Sequence, residues 1–149
     1  MNKDNNKTLT KILYFVPEGE EDAGASENLW SYSLGNQLYE LQNIPFYAEH
    51  LNVEDVVRCE EPVDELPIIR ELVRSSGNRT LRVIFTDETP EDICVDIMWE
   101  LSKNKIVSEK TAHRRFMFNV PSTSDYAWAQ SFLKSKEEEG LLWLYEQST

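Results

Sequence analysis

Apolar positions in the first half of the chain recur mostly with period two, the spacing of strands with one buried face. KILYFVP at 11–17 is an apolar run closed by Pro17 and predicts a buried strand. EGEEDAGASEN, polar and glycine-containing, predicts a loop. In ENLWSYSLGNQLYELQ, Gly35-Asn36 stands between two alternating runs, a two-residue hairpin signal. Closing the turn there sets Leu34 opposite Gln37, Tyr32 opposite Tyr39 and Trp30 opposite Leu41, all on one mostly apolar face. The chain leaves the hairpin through Pro45, and a strand is expected from Asp55 to Glu61. There Cys59 shares a face with Val57, which makes it a small core residue. Pro62 and Pro67 bracket a connector. IIRELVRS at 68–75 fits either helix or strand, and strand is preferred; SGN at 76–78 is a turn. Residues 11–78 therefore predict four or five antiparallel strands, in a small barrel or a strongly bent sheet.

The second half changes rhythm. TLRVIFT at 80–86 predicts a strand with Leu81, Val83 and Phe85 on one face. Thr89-Pro90-Glu91-Asp92 has the spacing of a capping box, with proline at the first helical position. Ile93, Ile97 and Leu101 then form an apolar stripe that leaves Trp99 off it. Residues 106–111 read as a polar edge strand, and RRFMFNV at 114–120 as a strand with Phe116, Phe118 and Val120 in register. Ser122 and Asp125 repeat the capping-box spacing before a helix that ends at Gly140, and LLWLYE at 141–146 closes the chain. The order from Thr80 is β-α-β-β-α-β, the split pattern of a ferredoxin-like fold with two helices on one face of an antiparallel sheet. The predicted class is α+β: a flexible N-terminus at 1–10, an antiparallel β half at 11–78 and a ferredoxin-like half at 79–149. SGNRT leaves little linker between the halves, so one compact unit is expected.

Composition adds one strong fact. The 149 residues carry 15 Lys and Arg against 27 Asp and Glu, a net charge of −12. Residues 1–78 hold 15 acids and six bases, and residues 79–149 hold 12 acids and nine bases. Such a surface repels nucleic-acid phosphates and anionic lipid, and attracts a basic protein. No run approaches the roughly 18 apolar residues of a membrane helix. MNKDNNKTLTK is polar and lacks the apolar centre of a secretory signal, so a cytoplasmic location is expected. Two cysteines, Cys59 and Cys94, fit a reducing compartment.

Candidate chemistry is sparse. A Cys-His or triad site would have to use His50 or His113. His50 with Cys59 is the one pair to weigh, set against the core position of Cys59. His113, beside Arg114 and Arg115, reads as surface loop. There is no CxxC, HxxxH or HExxH, no EF-hand spacing in EGEED, no GxGxxG and no Walker loop. No metal and no cofactor is predicted. Trp30, Tyr32, Trp99, Trp128 and Trp143 could line a ligand pocket, though at these spacings aromatics more often serve as core.

What remains is the grouping of acids. Glu18, Glu20, Glu21 and Asp22 form one cluster. Glu54, Asp55, Glu60, Glu61, Asp64 and Glu65 form a second. Asp87, Glu88, Glu91 and Asp92, continued by Asp96, form a third. An anionic face can imitate a phosphate backbone and occupy the basic cleft of a nuclease. The expected function is a non-enzymatic acidic binding protein, an immunity protein or antitoxin that covers the active site of a basic bacterial toxin. Two other classes stay open: a small-ligand-binding regulatory module, and a small hydrolase using His50 or Cys59. Oligomeric state is not readable.

Several phrases resemble an uncharacterised bacterial family, domain-of-unknown-function family four-two-six-five. They are ENLWSYSLGNQLYELQNIPFYA at 27–48, DVV at 55–57, SGNRTLRV at 76–83, VPSTSDY at 120–126 and EEGLLWLYE at the end. The resemblance implies a shared fold and a small intracellular bacterial protein, and it brings no catalytic residue. Some related small acidic proteins act as immunity partners of toxins.

Overall fold

The structure is a computed structural model and describes residues 8–146. Eleven elements follow in chain order: β1 (Leu9–Phe15), β2 (Ser26–Gly35), β3 (Leu38–Leu41), β4 (Val56–Glu60), β5 (Ile68–Arg74), β6 (Arg79–Phe85), α1 (Glu91–Ser102), β7 (Val107–Ala112), β8 (Arg115–Val120), α2 (Tyr126–Glu138) and β9 (Leu142–Glu146). Among the described residues the chain is α+β, with a five-stranded sheet whose successive strands are antiparallel, a four-stranded antiparallel sheet, and two helices. It divides between Ser76 and Gly77 into two compact units. The expected flexible N-terminus falls mainly outside the described residues, but Leu9 and Thr10 already belong to β1.

In the first unit β1 to β5 form a closed barrel in chain order. Successive strands are antiparallel, and β1 closes on β5 through one parallel contact, Leu13 to Ile68. The Leu13 amide donates to the Pro67 carbonyl there at 2.8 Å. Closure removes the sheet edges that would otherwise recruit other strands. The interior is filled by Ile12, Leu29, Leu41, Leu51, Val57 and Cys59, all buried. The strand preference for 68–75 is met by β5.

The hairpin register differs from expectation by one residue on β2. Ser31 faces Leu41, Tyr32 faces Glu40 and Ser33 faces Tyr39, with a bulge before Gly35. The turn residues are Asn36 and Gln37, with φ of 55° and 66°. Two successive left-handed residues are what the strand-matching I′ turn needs, and Gly35 (φ 82°) absorbs the bulge. A slip of one residue turns every side chain over. Leu29 and Ser31 therefore point inward, and Trp30 stands 47% exposed. Ser31 is tolerated inside because its hydroxyl donates to the Thr10 carbonyl at 2.9 Å.

The second unit has the element order β-α-β-β-α-β and a sheet ordered β7-β8-β6-β9, antiparallel throughout. Leu81, Val83, Phe85, Phe118, Val120 and Leu142 from the sheet meet Ile97, Leu101, Ala129 and Leu133 from the helices in one core. Both helices thus bury their stripes on the same sheet face. As the spacing predicts, Ile97 and Leu101 of α1 are buried and Trp99 is not.

The capping box at Thr89 does not form. Pro90 is the N-cap residue, and the Thr89 hydroxyl donates instead to the Leu141 carbonyl at 2.7 Å. Thr89 is buried against the chain leading into β9, where the Leu141 carbonyl accepts both from this hydroxyl and from the Thr86 amide at 3.0 Å. At α2 Asp125 itself is the N-cap, accepting from the Trp128 amide at 2.9 Å, while the Ser122 amide donates to Asn78 Oδ1. Gly140, at φ 80°, ends α2 with its amide bonded to the Glu137 carbonyl, as the terminal glycine predicts.

Candidate functional site

Four polar side chains pin the loops and explain much of the sequence pattern. Glu27, at the start of β2, accepts from the amides of Phe46, Tyr47 and Ala48 at 2.7, 2.7 and 2.9 Å. One carboxylate thus holds the whole Pro45–Ala48 corner, and Phe46 is left 43% exposed on it. Asn43 accepts from the Trp30 amide at 2.7 Å. Asp55 accepts from the amides of Asn52 and Ser76 at 2.8 Å each and from the Ser76 hydroxyl at 3.0 Å. Asn78 accepts from the Ser122 amide at 2.9 Å. Glu27 and Asn43 were not among the expected site residues. Their signal was only that both fall within the motif at 27–48.

Asp55 corrects one expectation. It is 1% exposed and fully engaged with backbone and Ser76, so it holds a loop and cannot face a partner. The other acids separate by strand direction. The 16–25 connection and the 42–55 connection leave the barrel at one end, since β1 and β3 run the same way between antiparallel neighbours. Glu18, Glu20, Glu21, Asp22 and Glu54 gather at that end, all exposed. Among the described residues the four from 18 to 22 make no ion pair. The ring of Tyr14 marks the same rim, 5.9 Å from His50. Burial raises the Tyr14 pKa, and the charges of Glu20 and Glu27 raise it further.

Glu60, Glu61, Asp64 and Glu65 lie at the opposite end, one strand of five residues away, roughly 17 Å. The second sequence cluster is therefore split in space. Its lower part is also partly neutralised. Arg70 donates to Glu60 at 2.8 Å, and the Tyr39 hydroxyl donates to Glu61 at 2.5 Å. The third cluster sits in the second unit: Asp87 and Glu88 precede α1, and Glu91 and Asp92 occupy its first turn. All four are exposed and well placed for the helix dipole.

Both cysteines are buried, and both histidines lie at the surface. Cys59 is completely buried, and burial first, then the Glu61 charge, push its thiol up to about 12, against a smaller opposing effect of Arg58. His50 is exposed on the rim and faces Tyr14. Cys94, also buried, has its thiol raised by burial, while Arg114 nearby works the other way. That guanidinium is a structural clamp: Nη1 donates to the Thr86 and Thr89 carbonyls at 2.9 and 2.7 Å. His113 lies exposed in the turn between β7 and β8. Among the described residues no three His, Cys, Asp or Glu side chains are grouped to hold a metal ion. No described helix is long and apolar enough to cross a membrane.

The aromatic set is divided between the two units: Trp30 and Tyr32 belong to the first, and Trp99, Trp128 and Trp143 to the second. Trp128 stacks on Phe132 at 5.2 Å, and Trp30 and Trp143 stand exposed on different strands. Trp99 lines an open apolar groove of about 390 Å³ with Val95, Met98, Ile106 and Val107, between α1 and the edge strand β7.

Fold and surface together define a small acidic α+β protein in which a barrel unit precedes a two-helix, four-stranded unit and the polar side chains act mainly as structural pins. The chain belongs to the family described as Domain of unknown function (DUF4265), which it matches over residues 27–144. It is also similar to a hypothetical protein from Neisseria gonorrhoeae known from a crystal structure. The TM-score is 0.73 at 22% identity, covering 95% of this chain and 94% of that one, a likeness of fold. No curated protein matches the sequence.

Proposed function

We propose that the protein is a non-enzymatic binding protein of the bacterial cytoplasm, an immunity protein or antitoxin that covers the active site of a basic toxin domain such as a nuclease. The observation that carries this reading is the acidic end of the barrel. Glu18, Glu20, Glu21, Asp22 and Glu54 project there from two connections, with exposed Phe46 on the corner that Glu27 fixes. A rim of like charge around a fixed aromatic combines long-range attraction for a basic cleft with a short-range anchor. The buried, protonated state of Cys59 speaks against a thiol hydrolase. The second unit we read as ferredoxin-like, a scaffold with no part in chemistry.

The test compares association rates of the toxin partner with two charge-reversed chains. Lysine at positions 20, 21 and 22 is expected to slow association at least about tenfold at low salt, with much less effect near 0.5 M salt. Lysine at positions 60, 61, 64 and 65 is expected to do less, since Arg70 and Tyr39 already engage that end. Equal rates for the wild type and the first variant would remove the acidic end from the interface.

A further inference from the structure

Among the described residues the four-stranded sheet has two edges, β7 and β9, and they are protected differently. β7 carries Lys110, and its ladder with β8 is irregular between Lys110 and Ala112, features that discourage a further strand. β9 has neither device. Its sequence opens LWLY, without lysine or proline, and its five residues pair with β6 with no shift of register. Leu142 and Leu144 turn to the core, while Trp143 and Tyr145 stand 55% and 51% exposed on the other face. A regular, apolar edge of this kind is a template for another strand.

Backbone direction identifies the groups a new strand would need. In an antiparallel ladder successive residues turn their amide and carbonyl to alternate sides. The Thr86 amide donates to the Leu141 carbonyl, continuing the pairing of β6 with β9. Residues 141, 143 and 145 therefore bond toward β6, and Leu142 and Leu144 direct their backbone groups outward. A second copy, related by a two-fold axis at Leu144, could exchange the Leu144 amides and carbonyls in one central pair. Trp143 of each copy would then face Tyr145 of the other, cross-strand aromatic pairs of a stabilising kind. The edge is self-complementary, and Leu144 is its centre.

That centre is already occupied from within the chain. The turn at Gly140 brings Glu137, in the last turn of α2, back alongside β9. Its half-buried carboxylate accepts from the Leu144 amide at 2.9 Å. The bond takes up the donor that a second strand would use. It also puts negative charge where an incoming carbonyl oxygen would have to sit.

We infer that Glu137 guards the β9 edge, and that without its carboxylate two copies of the chain join antiparallel through β9 into one continuous sheet.

Sedimentation equilibrium of the full chain tests this, up to about 200 μM in buffer of about 0.15 M salt, where long-range repulsion is screened. The wild type is expected to stay at 17.4 kDa throughout. Glu137→Ala is expected to associate, with at least about half of the chains dimeric at the top concentration. Glu137→Gln, whose side-chain oxygen still accepts from the Leu144 amide, should remain monomeric. Adding Trp143→Lys and Tyr145→Lys to Glu137→Ala sets lysine opposite lysine across the joined edge and should restore the monomer. Circular dichroism at low concentration checks that each variant is folded. If Glu137→Ala does not fold, Glu137→Asp, one methylene short of the amide, takes its place and should associate in the same way. A wild type that dimerises, or a folded Glu137→Ala or Glu137→Asp chain that stays monomeric, overturns the inference. So does association that survives the two lysines, or that Glu137→Gln shows equally.

Discussion

Glu27 shows how much one side chain can fix. Its carboxylate takes three consecutive amides, which would otherwise have to find water at a tight corner after Pro45. Glu27→Ala should cost about 2–4 kcal/mol in urea unfolding, with Glu27→Gln retaining part of the stability. A loss below about 0.5 kcal/mol would mean the corner holds without it. Cys59 gives a second residue-scale expectation. In the unfolded chain its thiol ionises near its ordinary value of 9.0, while in the folded protein burial keeps it protonated until about 12. Below pH 9 both states hold the proton and there is no effect. Between these values the unfolded state releases a proton that the folded state keeps, so stability falls as pH rises, by at most about 1.4 kcal/mol per pH unit from this group. The loss between pH 8 and pH 10.5 should be smaller in Cys59→Ala, measured by guanidinium unfolding. Ellman's reagent should find neither thiol at pH 8 until the chain unfolds. The core role of Cys59 was legible from its alternation with Val57. That of Glu27 was not, because an acceptor for amides nineteen to twenty-one residues away leaves no local spacing.

At the scale of elements the periodic signals were the readable ones. Both helices, the polar edge strand β7, and the choice of strand for β5 followed from apolar spacing and the glycine and proline positions. The hairpin shows where such reading fails. Alternation marks two strands and a turn, but the sequence offered Gly35-Asn36 as the turn and a consistent apolar face to go with it. The chain instead places Asn36 and Gln37 in the turn and spends Gly35 on a bulge, trading an outward Leu29 for an outward Trp30. Gln37 is the least suited residue there, since its left-handed conformation favours glycine. Gln37→Gly should therefore stabilise the protein by about 0.5–1 kcal/mol, read as a raised urea midpoint at unchanged slope. Gly77 is the converse case. At φ 84° an added Cβ would lie 3.1 Å from Cβ of Ser122, so Gly77→Ala should cost about 1–2 kcal/mol. The capping box at Thr89 failed for a related reason: a hydroxyl answers to whichever carbonyl tertiary structure brings nearest, here that of Leu141.

For the whole molecule, net charge was legible and its arrangement was not. Three clusters along the chain become a different set in space. The cluster at 18–22 gains Glu54 from across the barrel. The residues from 60 to 65 lie at the far end, and Asp55 turns inward to hold a loop. Strand direction decides this partition, and direction needs the pairing order that composition cannot supply. The acidic end of the barrel is the proposed docking face for a basic protein. The most direct measurement is quantitative affinity capture from the native host at low salt, with the wild-type chain and the chain reversed to lysine at positions 20, 21 and 22 as paired baits. One basic protein should be recovered close to one-to-one by the wild type and depleted at least about tenfold by the reversal. Equal recovery by both baits, or no basic protein with either, would contradict it.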